Sequence, residues 1–383
     1  MVLSLKVVVI VASSHRGTMI LVGIAAATVA TIGMGAIRGI LAPVLLTLVL
    51  TICAHPVRVA MERRGVPHGL ATGSVIMVVF LLLTGFIVAL LVAFGQFAAM
   101  LPNYAAQLAQ VGTTIANWLT SIGIGQEQIQ EIIKGINPSN IVAFATGLFG
   151  SAFNILGALV IVLTMLILMA ADAVYVPTIL RQLATTQQEL VSSLTSYASS
   201  VRRYMVVTTV LGIAQGVLNT VALFILHVPA AILWGLLAFL CSFIPNVGYF
   251  LAIIPPLIFA FFVGGWPTAV AVVIVYGLIN AVVQSIIQPR VVGNAVALSQ
   301  TITFFSVLFW AVVLGPIGAI LAIPLTLLAR AVLIDSDPRA RLWRPAIGDV
   351  SETRRLLMAD DAQAKEARRT RREEKTHDDD GAD

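Results

Sequence analysis

The sequence predicts an all-α polytopic membrane protein of about eight hydrophobic segments, with two re-entrant helical hairpins in an inverted repeat. Three observations carry that expectation. Residues 204–289 contain no Asp, Glu, Lys or Arg, and after Arg290 a second uncharged stretch covers 291–329. A water-soluble fold needs a solvated face and rarely leaves so much sequence uncharged. A helix crossing a ~30 Å hydrocarbon core, by contrast, needs about 20 apolar residues. Two of the apolar segments are also broken near their middles by Pro and Gly, and sequence on either side of that region is internally similar. Composition agrees: the chain is 59% hydrophobic and 11% charged, with a mean hydropathy of +0.98.

The apolar segments are 19–37, 39–55, 70–97, 150–171, 205–226, 229–264, 266–288 and 302–333. Arginine placement orients them, because cytoplasmic loops carry the Lys/Arg excess. Arg58, Arg63 and Arg64 follow the second segment, Arg181, Arg202 and Arg203 precede the fifth, and Arg290 follows the seventh. These read as cytoplasmic. Residues 102–149 hold one Lys and two Glu and read as external. The chain thus divides into a cytoplasmic N-terminus (1–18), three membrane helices (19–97), an external amphipathic region (98–149), and a fourth membrane helix with a cytoplasmic amphipathic helix (150–203). A transport core (204–334) and a charged cytoplasmic tail (335–383) follow. The tail holds 11 basic and 13 acidic residues with little apolar content and is expected to be disordered. The basic excess therefore belongs to the membrane part, which argues against nucleic-acid binding.

The external region carries apolar positions at helical spacing, Ile115, Leu119 and Ile122, then Ile129, Ile132 and Ile133. It is expected to form short helices on the membrane surface or between subunits.

Parity fixes the two broken segments. The fifth segment leaves the cytoplasm and the seventh returns at Arg290, so 229–264 begins and ends outside. By the same logic 302–333 begins and ends inside. Their breakers are Pro245-Asn246-Val247-Gly248 and Gly315-Pro316-Ile317-Gly318. Arms of about 14 residues reach only ~21 Å as helix, short of the ~30 Å core. Two hairpins entering from opposite faces fit these lengths; two pairs of thin, tilted crossings satisfy the same parity.

The repeat pairs Gly216-Val217-Leu218-Asn219-Thr220-Val221 with Gly277-Leu278-Ile279-Asn280-Ala281-Val282. It also pairs Gly248-Tyr249-Phe250-Leu251-Ala252-Ile253 with Gly318-Ala319-Ile320-Leu321-Ala322-Ile323. Its copies, 204–264 and 266–333, start on opposite sides. Inverted repeats with broken helices place a solute site near the midplane.

Polar side chains in hydrocarbon mark cavities or protein interiors. Gln215 and Asn219 are four apart on the fifth segment; Asn280, Gln284 and Gln288 are spaced by four on the seventh. With Asn246 at the first tip, these are the candidate solute-binding residues, and inter-helix hydrogen bonding is their plainer role. Pro245, Gly248, Gly315, Pro316 and Gly318 are the candidate tip and gating residues. Arg290 is the candidate cytoplasmic anchor. No carboxylate occurs between Glu189 and Asp335, which disfavours an Asp/Glu proton relay in this half. Cys53 and Cys241 sit in apolar segments and suggest neither a disulfide nor a metal site. The nucleophile, zinc-protease and phosphate-loop motifs are missing, so neither an enzyme nor a cofactor is expected.

Three motifs in order complete the reading: Leu233-Trp234-Gly235 through Phe243-Ile244-Pro245-Asn246-Val247-Gly248; Ile287-Gln288-Pro289-Arg290-Val291-Val292-Gly293; and Leu308-Phe309-Trp310 through Gly315-Pro316-Ile317-Gly318 to Ala322-Ile323-Pro324-Leu325. With them the chain from Gly17 to Leu333 resembles the autoinducer-2 exporter family, also called PerM-like permeases. The resemblance implies a homo-oligomeric, multi-pass transporter of the bacterial inner membrane with both termini cytoplasmic. Members are associated with furanone export and others with Na⁺/H⁺ antiport. The chain departs at Ser299-Gln300, where a Pro often follows the Ser. The expectation is export of a small polar organic solute, autoinducer-2-like, by alternating access. A Na⁺/H⁺ antiporter, a passive channel and a membrane scaffold are the alternatives.

Overall fold

The computed structural model describes residues 2–104, 113, 116, 119–121, 152–292, 298–338, 340–347, 357–361 and 363. Ile115, Ile122, Ile129, Ile132 and Ile133 of the external region, Gly293, and most of the tail lie outside them.

The described residues are helical throughout. In order they are α1 (Val2–Ala36), α2 (Arg38–Arg63), α3 (His68–Met100), α4 (Ala152–Asp172), α5 (Val176–Ala184), α6 (Gln188–Ile225), α7 (Ala231–Cys241) and α8 (Gly248–Asn280). A π-helical segment (Ala281–Ile287) leads into α9 (Gln288–Val292). Then come α10 (Gln300–Leu314), α11 (Pro316–Ile320), α12 (Ala322–Arg330), a second π segment (Ala331–Asp335) and α13 (Arg344–Ile347). Among the described residues five helical stretches are long and apolar enough to cross a membrane: Gly17–Ala36, Arg38–Arg63, His68–Ala93, Gln188–Ile225 and Gly248–Gln284. The pair α4 and α5, bent by 58°, makes a sixth. The protein is an all-α polytopic membrane protein.

α6 runs unbroken for 38 residues, so the polar stretch from Gln188 to Arg203 and the fifth apolar segment are one rod. The next two apolar segments are separated inside α8 at Gly265, whose φ of 63° and ψ of −156° are non-helical. Gly315 has nearly the same conformation, φ 74° and ψ −155°, in a region that L side chains seldom enter.

Both breaker segments fold back on themselves. In the first, Cys241 meets Gly248, Ala238 and Cys241 cluster with Ala252, and Trp234 stacks on Phe259 at 6.0 Å. Contacts whose partners move apart along the chain in this way define an antiparallel hairpin. In the second, Trp310 meets Gly318, Val307 clusters with Ala322, and the Trp310 indole donates to Thr326 Oγ1 at 3.1 Å. The leading arms, α7 and α10, have 11 and 15 residues, or ~17 and ~23 Å. The tips pack together. Phe243 of the first shares a cluster with Leu314 and Leu321 of the second, and Ile244 and Val247 pack on Val307, Ala319 and Ala322.

Backbone strands of the ladder cut by proline are rescued from elsewhere. Pro56 has no N–H to give the carbonyl of Ile52 four residues earlier, and Arg202 Nε donates to that carbonyl at 3.2 Å. Just past α12, Asp335 is ion-paired with Arg330, whose Nε is 3.2 Å away, and accepts from Arg344 Nε at 2.6 Å. The first turns of the charged tail are thereby helical and docked.

Gly248 and Gly318 are the residues that let the arms close: a Cβ on either would overlap the carbonyl oxygen of Cys241 or Trp310, whereas one at Gly23 meets nothing. Gly248→Ala and Gly318→Ala should each cost about 1–3 kcal/mol, seen as a lower midpoint of thermal aggregation in detergent. Gly23→Ala should leave that midpoint where it was.

Candidate functional site

The inward face of α6 is polar. Its buried residues include Tyr197, Val201, Tyr204, Thr208, Gly212, Gln215, Asn219 and Leu223, a run of three- and four-residue steps that keeps them on one side of a helix. Tyr197 Oη, Gln215 Oε1 and Asn219 Oδ1 are buried without a hydrogen-bond partner in the protein, and between them the hydroxyls of Tyr204 and Thr208 meet one turn apart. From Tyr197 to Asn219 they span ~33 Å of helix. Leaving one such group unsatisfied costs ~1–3 kcal/mol.

α8 supplies the facing wall at the Gln215–Asn219 end of this stripe. Gln215 Nε2 donates to Asn280 Oδ1 across the interface at 3.5 Å, a long and weak bond. One turn away, Tyr276 is only 2% exposed and its hydroxyl also lacks a partner. Leu223 shares a core cluster with Tyr276 while Gln215 meets Asn280, so the two helices run antiparallel here. Asn219, midway between Gln215 and Leu223, is then level with the turn from Tyr276 to Asn280. Four neutral polar side chains thus converge, two from each helix.

Glycine makes the close packing around them possible. A Cβ on Gly216 would press on the Gly235 carbonyl of α7, and one on Gly235 would overlap Thr220 Oγ1 of α6. The first hairpin therefore lies directly against α6, backbone to backbone.

Of the residues anticipated from sequence, Gln215, Asn219 and Asn280 come together. Gln284 lies in the π segment and Gln288 opens α9; both are half-buried. Asn246 is exposed at the first tip with φ 64°, and the turn accounts for it. Pro245 and Gly315 are partly buried, Gly248 and Gly318 buried, Pro316 exposed. Arg290 is exposed; the tether at that end is Arg203, whose Nε and Nη2 donate to Val291 O at 3.2 and 2.7 Å. Tyr276, Tyr204, Thr208 and Tyr197 were not anticipated. The repeat itself points to Tyr276: the step from Asn219 to Asn280 also carries Gln215 onto Tyr276.

The arrangement offers hydroxyl and amide donors and acceptors with no charge. Among the described residues no group of three or more His, Cys, Asp or Glu side chains could hold a metal ion. Such a site can hold a neutral hydrogen-bonding molecule while it sheds water.

Comparison with known sequences gives this geometry a family. The model of the AI-2E family transporters matches residues 18–336. The chain belongs to the AI-2E transporter family. This AI-2E protein is 28% identical over 294 residues to the "AI-2 transport protein TqsA" of Escherichia coli K12, covering 77% of this chain and 85% of that one. It is 26% identical over 310 residues to "Putative transport protein YhhT" of the same organism, 81% and 88% of the two chains. A "Putative transport protein" of Haemophilus influenzae is 29% identical over 344 residues, 87% and 97% of the chains. In the AI-2E chain, Ser299 caps α10 by accepting from Ile302 N–H at 3.2 Å, so Gln300 fills a first-turn position that a Pro would also suit.

A buried polar group without a partner weakens a fold, and replacing it by an apolar group of similar shape is close to neutral or stabilising. Asn219→Leu in this AI-2E transporter should therefore keep or raise thermal stability in detergent. A fall of more than a few degrees would show that Asn219 is a structural bond.

Proposed function

We propose that this membrane transporter exports a small polar organic solute, autoinducer-2-like, by alternating access, with the solute held between α6 and α8. The observation that carries the reading is the set of buried oxygens of Gln215, Asn219 and Tyr276, each without a protein partner, beside Asn280 at the middle of the crossing. A solute with several hydroxyls satisfies groups that the fold leaves unsatisfied. The opposed hairpins, whose tips pack together beside α6, are the gating unit in this reading. Tip residues Pro245, Gly248, Gly315, Pro316 and Gly318 set its shape. The name of the TqsA relative supports the solute class. Positive-inside arginines support cytoplasmic termini, and the family supports the bacterial inner membrane and homo-oligomeric assembly. The absence of a carboxylate between Glu189 and Asp335 disfavours Na⁺/H⁺ antiport through this core.

The test is flux of labelled autoinducer-2 in proteoliposomes, with ²²Na⁺ as the comparison and with ion gradients imposed or collapsed. Saturable furanone flux that falls about tenfold or more in Asn219→Ala and Asn280→Ala, the equivalent of losing ~1.4 kcal/mol or more, is the expected result. Pro316→Ala should slow the same flux. Non-saturating flux indicates a channel, and flux of neither solute by a normally assembled protein sinks the assignment.

A further inference from the structure

α5 shows an apolar face that no described residue covers. Tyr175, just ahead of the helix, and Val176, Ile179 and Leu183 within it fall in an arc of about 100° at 3.6 residues per turn. They are 65%, 45%, 49% and 36% exposed, and no residue of α5 is buried. α5 packs on α6, and its half-buried residues, Leu180 and Ala184, lie to one side of that arc. The other side is polar. Thr178 and Arg181 stand there, and the guanidinium folds back along the helix, Nε donating to Pro177 O and Nη2 to Thr178 Oγ1, both at 3.3 Å.

The position of α5 narrows what can cover this face. α4 has 21 residues, or ~31 Å, a full crossing of a ~30 Å core by itself. It ends at Asp172, and Ala173 lies at the level of Arg58, with which it lines one notch. α5 therefore begins where the hydrocarbon ends. The two helices are bent by 58°, so α5 runs more across the direction of α4 than along it. Returning into the core would carry Arg181 there too, at the high cost of a charge in hydrocarbon. The apolar surface is also continuous. Val160, Ile167 and Leu168 of α4 are exposed as on any lipid-facing helix, and Val174 and Tyr175 carry that exposed surface round the bend.

We propose that α5 lies on the bilayer surface at which α4 ends, with Tyr175, Val176, Ile179 and Leu183 seated among lipid headgroups and upper acyl carbons and Arg181 toward water. A helix with one apolar face and a cation on the other side binds an interface in this way, and tyrosine suits the headgroup level. Lipid is the occupant because the face extends the lipid-facing side of α4 and holds no polar group except the Tyr175 hydroxyl. Docked so, α5 fixes the height of Gln188, where α6 begins, whatever the transporter carries.

The test is the fluorescence of one bimane-labelled cysteine in the whole protein in phosphatidylcholine nanodiscs, with Cys53 and Cys241 replaced by Ala. The label is placed at Ile179→Cys or at Thr178→Cys. Quenching by lipid bearing a nitroxide at the headgroup end of its chains is compared with quenching by aqueous iodide. Lipid quenching and blue-shifted emission at 179, with iodide quenching at 178, is the expected result. Ile179→Gln, with the label moved to Leu183→Cys, should lower the docked-to-free ratio about tenfold, the worth of one large apolar side chain leaving water. Equal iodide quenching at 178 and 179 puts the face in water and overturns the proposal. Shielding of 179 from both quenchers overturns it as well and gives the face to a second protein chain.

Discussion

Inside hydrocarbon every backbone N–H and C=O must be paired within the protein, and the rest of this structure follows from how that demand is met where helices break. Pro56 leaves the Ile52 carbonyl without its ladder partner, and Arg202 answers it from α6. Arg203 donates to the carbonyl of Val291 in α9. These neighbouring arginines therefore fasten α6 to the second and the seventh apolar segments at one level. α6 becomes the post around which the broken helices are arranged.

The hairpins meet the same demand differently. Each reverses direction through a few residues whose polar backbone could not face lipid. Packing tip against tip, with Phe243 near Leu314 and Ile244 near Ala319, covers part of both reversals and leaves Asn246 and Pro316 exposed. Gly248 and Gly318 let each second arm lie against a carbonyl of the first, so the two tips reach similar geometry from similar sequence. The similarity of Gly248-Tyr249-Phe250-Leu251 to Gly318-Ala319-Ile320-Leu321 is thus a similarity of packing requirement, independent of any shared ligand.

Much of this was legible because the chain is so apolar. Against 86 uncharged residues, the amides of Gln215, Asn219 and Asn280 stand out, and their spacing places them on faces without any structure. The breakers at Pro245 and Pro316 were equally plain. What sequence hid was of two kinds. Tyrosine is ordinary in an apolar helix, so nothing local marked Tyr276 as having a hydroxyl without a partner. Long-range partners were also invisible: Pro56 announces an orphaned carbonyl, yet only the fold shows that Arg202 reaches it. The π segment belongs with these. Gln288 N–H reaches back five residues to Val283 O, just ahead of Pro289, which brings no N–H to the ladder, but a proline alone does not specify that widening. Asn246 and Arg290 are less distinctive, since each also has an ordinary use in a turn or at a surface.

The strongest argument that the stripe on α6 is more than packing comes from two adjacent threonines. A hydroxyl on a membrane helix ordinarily satisfies itself by donating to the carbonyl one turn back. Thr28, Thr31, Thr47, Thr209 and Thr220 all do so, at 2.7–2.9 Å. Thr208, next to Thr209 on the same helix, does not. It turns inward to the Tyr204 hydroxyl instead, on the side of α6 where Gln215 Oε1 and Asn219 Oδ1 are buried without a partner. Selection for stability alone would tend to remove buried groups left without a partner. The buried oxygens of Gln215, Asn219 and Tyr276 that no protein group answers are the pattern expected of groups kept available to something that passes.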